Sequence, residues 1–262
     1  MSDLVLSVPK ELRRGHSRWN EPASVAEGVE LIKLMCRNFG LADFGNSDVL
    51  DMGCGSKLVQ AILDRRLPLR RYTGVDIFPD LIDFLQQNVT DPRFSFQLLN
   101  TRNEMYNPGG ETLTADTMLD VAEHSFDIIC LFSVFTHLAP HDYVAMLKML
   151  RRYVKPGGRL IFSLFVNETT AGGLGFMDTF HKSWKGDYSA SKHAEQHKQF
   201  LDNAVAAGGP PDFFDVYPAQ PLQVAMYSRD YALRLVENTG WEVESLNDPE
   251  KHIQHYMICR PV

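Results

Sequence analysis

The order of apolar runs along this 262-residue chain predicts an α/β fold, a largely parallel sheet with helices on both faces. Three observations carry that expectation. Short apolar runs alternate with stretches of helical spacing. The run Val49-Leu50-Asp51-Met52-Gly53-Cys54-Gly55-Ser56-Lys57 passes from a strand through a glycine turn into a helix. The alternation then breaks after about residue 166 and resumes near residue 228, with no internal repeat or low-complexity tract.

The elements follow in order. Val25, Val29, Ile32, Cys36 and Phe39 recur at helical spacing behind Ser24, a good N-cap, and Gly40 ends the run. Strands are expected at 48–50, 72–75, 94–99, 126–132 and 159–166, with helices at 58–64, 80–88 and 140–153 between them. In the last helix Tyr143, Leu147, Leu150 and Val154 form the inward stripe. Pro140 suits the first turn, where its missing N–H costs nothing. Lys155-Pro156-Gly157-Gly158 reads as a tight turn feeding the fifth strand. Residues 167–226 contain Gly172-Gly173, Gly208-Gly209-Pro210-Pro211 and scattered histidines without clear periodicity. Long irregular segments inside compact domains are usually lids, binding loops or disorder. A capped helix at 228–239 closed by Gly240, and strands at 241–246 and 255–260, complete the pattern.

Composition bounds the function. A 44% hydrophobic chain of this length can bury a good core, and we expect one domain over 1–262, with an N-terminal cover at 1–23 and a lid insertion at 167–226. Twenty-six basic against 33 acidic residues give a net charge of −7, and no basic block occurs, which argues against a nucleic-acid partner. Cys36, Cys54, Cys130 and Cys259 are widely spaced in apolar contexts and read as reduced thiols, not a disulfide framework. No stretch of about 18 uncharged apolar residues occurs, so a cytoplasmic protein without membrane insertion, monomer or homodimer, is expected.

Glycines just past a strand let the backbone approach a ligand closely, because no Cβ intervenes. A helix beginning there offers its unpaired N–H groups. The turn therefore suggests a nucleotide-like cofactor. The dinucleotide fingerprint G-x-G-x-x-G is not met, because Leu58 stands where its third glycine belongs. The order Asp51-x-Gly53-x-Gly55 resembles instead the first motif of class I S-adenosylmethionine-dependent methyltransferases. Asp76 closes the second strand, Gly74-Val75-Asp76, where a carboxylate can accept hydrogen bonds from both ribose hydroxyls. Ser125-Phe126-Asp127-Ile128-Ile129-Cys130-Leu131-Phe132 resembles the fourth strand of that family, and Lys155-Pro156-Gly157-Gly158-Arg159-Leu160 the turn into its fifth.

The resemblance implies a Rossmann-like, doubly wound seven-stranded sheet with the last strand antiparallel. It also implies S-adenosyl-L-methionine as cofactor, with Asp51, Gly53, Cys54, Gly55, Asp76, Ile77, Asn100, Thr101 and Phe132 around it. Two positions depart from the family pattern. Lys57 stands where many members have a third glycine and is expected to reach outward along the helix; Asn100 replaces an acid, though its amide carbonyl can still accept from the adenine amino group.

A hydroxyl acceptor needs a base, since a neutral alcohol is a weak nucleophile. His137, in Phe132-Ser133-Val134-Phe135-Thr136-His137-Leu138 just past the fourth strand, is the natural candidate. The competing reading is a histidine hydrogen-bonded beneath the site. The same stretch, with the Tyr106-Asn107-Pro108-Gly109-Gly110 turn, resembles a bacterial subgroup acting on small molecules and sugars. Tyr106, His141, Phe180 and Trp184 are the expected acceptor contacts, although His141 also suits a solvent-facing position. The other insertion aromatics, Phe176, Tyr188, Phe213, Phe214 and Tyr217, can stack on a sugar or simply pack on the core. His181, His193 and His197, the last two four apart, invite a divalent-metal reading that lacks a carboxylate or a third ligand fixed by spacing, so no metal is assigned; Asp178 stays a candidate acid. Arg13, His16 or Arg18 could contact the cofactor carboxylate. No Asn/Asp-Pro-Pro-Tyr/Phe signature for amino-methylation of planar nitrogens occurs. An amine acceptor and a non-catalytic binding module stay open as alternatives.

Overall fold

The computed structural model describes residues 4–14, 19–103, 105–178, 211–216, 221–250 and 253–262. Within them are α1 (Glu21–Phe39), β1 (Phe44–Met52), α2 (Lys57–Arg65), β2 (Leu69–Asp76), α3 (Pro79–Asn88), β3 (Phe94–Leu98), β4 (Phe126–Leu131), α4 (Pro140–Leu150), β5 (Val154–Val166), β6 (Phe213–Asp215), β7 (Ala225–Tyr227), α5 (Arg229–Arg234), β8 (Trp241–Asn247) and β9 (His255–Pro261). Strand pairing runs β3-β2-β1-β4-β5; β9 and β7 both pair with β5, β8 with β9, and β6 with β7. This is the Rossmann-like order expected, and β9 runs antiparallel to β8. The short β6–β7 hairpin brings the total to nine strands among the described residues, not the seven expected.

The chain gathers into two compact units: Met1–Thr112 with Met118–Leu131 and Arg152–Ile161, and Leu113–Thr117 with Phe132–Arg151 and Phe162–Val262. In the first, β1 pairs in parallel with β2 and with β4, and β2 with β3. Val49, Leu50, Val75, Ile129 and Cys130 are fully buried there, as expected of parallel strands covered on both faces. α1 begins three residues before the expected cap. The side chain of Asn20, not Ser24, accepts the Ala23 N–H at 3.0 Å, and Pro22 sits in the first turn. Gly40 closes α1 with φ of 65°, the left-handed conformation glycine adopts without penalty.

The Lys155–Gly158 stretch is not a turn. β5 starts at Val154 and runs straight through it. Glycine is required at 158, because a Cβ there would stand 3.0 Å or less from the Phe126 and Asp127 carbonyl oxygens and from Val154.

The second unit has its own aromatic core. Phe135 lies 4.5 Å from Tyr143 and 4.2 Å from Phe162, and Tyr143 lies 5.4 Å from Tyr227, all four being fully buried. Residues 167–226, expected to be irregular, contribute β6 and β7. Phe165, Met177, Phe214, Val216 and Met226 form a small core around them. α5 keeps the expected cap, Ser228 accepting from the Tyr231 N–H, but is shorter than the 228–239 run, which continues in turns to Gly240. All four cysteines are buried free thiols.

Candidate functional site

The glycine turn sits at the C-terminal end of β1. Gly53 and Gly55 both take positive φ, 70° and 50°, which costs a residue with a Cβ strain. The turn is fastened to β2: Gly53 and Cys54 donate their N–H groups to the Val75 carbonyl at 2.7 and 3.0 Å, and Gly55 donates to Asp76 Oδ2 at 2.9 Å. These three donors are thus spent inside the fold instead of being held out to a ligand. What the turn offers is space, since a Cβ on Gly55 would meet no atom within 4 Å. It also offers the first turn of α2, which no side-chain cap closes.

Asp76 ends β2 with Oδ1 taken by the Phe78 N–H at 3.1 Å and Oδ2 by Gly55, leaving the remaining lone pairs of both oxygens for a diol. Burial raises its pKa, against those backbone hydrogen bonds and the positive charge of Arg14, which favour the carboxylate. Asp51, 2% exposed, lies beneath the turn. Tyr72 donates to its Oδ2 at 2.5 Å and Cys130 to its Oδ1 at 3.6 Å. Burial pushes its pKa up to about 7. Cys54 contributes backbone, its buried thiol lying 3.0 Å from where a Cβ on Gly74 would stand. Ile77 is half-buried beside Asp76. Lys57 reaches outward as expected, to Glu27 of α1 at 2.7 Å.

At the end of β3, Asn100 Oδ1 accepts from Asn107 Nδ2 at 3.1 Å, and Asn107 also donates to the Thr101 carbonyl at 3.2 Å. The Asn107-Pro108-Gly109-Gly110 turn therefore folds back on Asn100 and Thr101. Gly110 is pressed so close that a Cβ would come 2.5 Å from the Thr101 carbonyl carbon. This carries Tyr106 to the Asp76 side, where its ring lies 4.4 Å from the Arg14 guanidinium. Arg14 also stacks on Phe78 at 3.7 Å. Arg13, expected at a cofactor carboxylate, is instead engaged with the Val8 carbonyl and Glu21. His16 and Arg18 lie outside the described residues, as do Phe180, Trp184, Tyr188, Tyr217, His181, His193 and His197.

In the second unit Phe132 directly follows β4 and is half-buried. His137 ends a single 3-10 turn, Phe135–His137, with Nδ1 3.1 Å from the Leu222 carbonyl. A carbonyl only accepts, so this contact assigns the proton to Nδ1. Burial lowers the His137 pKa, partly offset by the Leu222 and Gln223 backbone contacts, and holds the ring neutral at pH 7. His141 takes the solvent-facing alternative: its side chain is 75% exposed and lies 3.3 Å from Asp142. Of the insertion aromatics, Phe176 packs 4.6 Å from Phe165, Phe213 packs 5.2 Å from Tyr227, and Phe214 is core.

Glu168, Asp248 and His255 form the one group among the described residues able to gather three metal ligands, within 4.8 Å of one another. Arg229 already spans both carboxylates, reaching Asp248 Oδ1 at 3.0 Å. Asp178 braces its own loop, accepting from the Thr170 and Gly175 N–H groups at 2.8 and 3.1 Å. Sequence reasoning missed Arg14 and Tyr72, whose partners are distant in the chain.

A sheet ordered β3-β2-β1-β4-β5, with a glycine turn after β1 and an acid ending β2, defines the class: a Rossmann-like methyltransferase fold. Residues 50–162 match the methyltransferase domain family. That match spans less than half of the chain. It is 27% identical over 124 residues to the ubiquinone biosynthesis O-methyltransferase of Neisseria meningitidis serogroup A, covering 47% of this chain and 46% of that protein. It is 24% identical over 140 residues to the malonyl-[acyl-carrier protein] O-methyltransferase of Priestia megaterium, covering 53% and 43%. The chain thus spans about half the length of the curated relatives it matches. A solved structure from Pyrococcus horikoshii OT3 covers 98% of this chain and 100% of its own at a TM-score of 0.55 and 14% identity, a likeness of fold. Among the described residues no helix is long and apolar enough to cross a membrane.

Proposed function

We propose that the protein transfers a methyl group from S-adenosylmethionine to a hydroxyl of a small acceptor, sugars and glycans being the first class to test. The observation that carries the cofactor half is the turn itself: two positive-φ glycines, open space over Gly55, and Asp76 held by backbone N–H groups with lone pairs to spare. These features fit an adenosyl ligand. The cofactor supplies an activated methyl on a sulfonium, so the chain need only position it and manage one proton. Asp76 would accept from the ribose hydroxyls, Ile77 would lie against the base, and Asn100 and Thr101 would border its edge. Both curated relatives transfer to oxygen by name, which favours a hydroxyl or carboxyl acceptor over an amine. For sugar stacking, Phe176, Phe213 and Phe214 are committed to packing, so that role falls to Phe180, Trp184, Tyr188 and Tyr217.

His137 is assigned as the general base. Its neutral ring at pH 7 suits that role, which is worth about 10²–10⁴-fold in rate. Its contact with Leu222 favours a second reading, a clasp holding the post-β4 segment to residues 222–223. Tritium-labelled methyl transfer against sugar oligomers, phenols and carboxylic acids, alongside calorimetry with S-adenosylhomocysteine, tests the whole. For His137→Ala we expect turnover to fall about 100-fold or more with S-adenosylhomocysteine affinity and thermal midpoint held. A lowered midpoint with turnover within a few-fold assigns the clasp instead. Absence of S-adenosylhomocysteine binding by the wild type overturns the cofactor reading.

A further inference from the structure

The N-terminal arm is docked. Leu6 and Val8 are 6% and 1% exposed, and the short turn Lys10–Leu12 follows them. Buried Glu21 accepts from Ser7 Oγ at 3.1 Å, the Val8 N–H at 2.6 Å and Gln60 Nε2 at 2.7 Å. Gln60 also donates to the Leu6 carbonyl at 3.0 Å, and Ser56 donates to Gln60 Oε1 at 2.9 Å. Arg13 fixes the last step, with Nε 2.7 Å from the Val8 carbonyl. Since Ser56 precedes the first residue of α2, this chain of hydrogen bonds ties the arm to the helix that opens from the glycine turn.

The arm delivers Arg14 between two aromatic faces, Phe78 at 3.7 Å and Tyr106 at 4.4 Å. Phe78 stands two residues past Asp76 and donates its N–H to that carboxylate. Tyr106 comes from the loop that folds back on Asn100 and Thr101. Both rings therefore belong to the loops that follow β2 and β3, the strand ends assigned to the adenosine. Two ring contacts hold the guanidinium more firmly than an isolated surface arginine is held, and its charge bears on Asp76.

We propose that Arg14 is a cofactor-positioning residue: held by the docked arm between Phe78 and Tyr106, it walls the ribose side of the site and brings its charge to the side of Asp76, the acceptor for the ribose hydroxyls. The proposal rests on the cofactor reading above. Among the described residues, Asp51, Cys54, Tyr106 and Arg14 act on or from Asp76, and of these four Arg14 is the cation. Burial already pushes Asp76 toward its neutral form, so loss of Arg14 moves its titration to higher pH. Acid-induced loss of ligand then sets in at higher pH as well.

Calorimetric titration of S-adenosylhomocysteine and of adenosine into the full chain between pH 5.5 and 8 tests this, with wild type, Arg14→Ala and Arg14→Lys compared. Expected for Arg14→Ala is about a 10-fold weaker affinity for both ligands at pH 7, with the fall-off on acidification displaced to higher pH. Arg14→Lys, which keeps charge without the planar stack, should retain the wild-type pH profile at intermediate affinity. Unchanged or tighter binding by Arg14→Ala overturns the proposal while leaving the cofactor reading intact. A loss confined to S-adenosylhomocysteine, with adenosine spared, overturns it too, because the contact would then be to the amino-acid end. Wild-type protein that binds neither ligand overturns both.

Discussion

Asp48 and Asp51 stand three positions apart on β1, both almost completely buried at 1% and 2% exposure, and they are handled in opposite ways. Asp48 is ringed by cations: Arg71 Nε at 2.9 Å and Lys155 Nζ at 3.0 Å, the lysine also bridging to Asp127 at 2.7 Å. Burial raises its pKa, but the hydrogen bonds and charges of Arg71 and Lys155 outweigh that and leave it lowered. Asp51 has a phenol and a thiol for partners, and burial wins. The middle of β1 is neutralised for stability. The end beneath the turn keeps a costly buried acid whose pKa is lifted to about 7, the kind of local conflict that marks a functional site.

Three substitutions sharpen the contrast. Lys155→Met strips one cation from a buried carboxylate and should cost the most, about 2 kcal/mol by urea unfolding, less than a fully buried pair because Arg71 stays. A midpoint and slope equal to wild type would show that the network contributes nothing. Asp51→Asn acts through pH. The folded pKa, about 7, exceeds that of the unfolded chain, so Asp51 stabilises below about pH 4 and loses that contribution as pH rises through about 7. Unfolding measured from pH 4 to 8 should show a decline of at most about 1.4 kcal/mol per pH unit in wild type that the asparagine variant lacks. Asp48 has the opposite sign: its contribution is present above about pH 4 and is lost only as pH falls through its lowered folded value. Identical slopes in the two proteins would mean Asp51 is ionised throughout. Lys57→Ala should do least. Its pair with Glu27 is about one-third exposed, worth roughly 0.5 kcal/mol, and a changed S-adenosylhomocysteine affinity would contradict the outward course of the side chain.

Much of the first unit was legible because glycine and acid positions at strand ends carry local constraints. Gly53 and Gly55 form the expected turn and Asp76 the expected end of β2, since positive φ and a strand-closing carboxylate leave few alternatives. Where two residues share the same local chemistry the sequence underdetermined the outcome. Asn20 and Ser24 can each cap a helix, and the asparagine wins with Pro22 in the turn after it. Lys155–Gly158 looks like a turn in composition, yet Gly158 serves to let β5 pass the Phe126 and Asp127 carbonyls, a tertiary requirement. β6 and β7, three residues each, are too short to show a period. Of the site, pairings that span long stretches of chain escaped: Tyr72 with Asp51, and Arg14 with Phe78 and Tyr106. Tyr106 is expected at the acceptor from the sequence; its loop folds back on Thr101, with the ring beside Arg14 and within the influence of Asp76.

One contact between α1 and α2 reaches further than its size suggests. A Cβ on Gly28 would stand 2.4 Å from the Lys57 carbonyl oxygen and 2.9 Å from Ala61 Cβ. Lys57 is the first residue of α2, and the two residues before it are Gly55 and Ser56. The depth at which the mouth of this site sits is therefore gauged by a single hydrogen atom on another helix. Any larger group at that point would act as a shim under the first turn of α2.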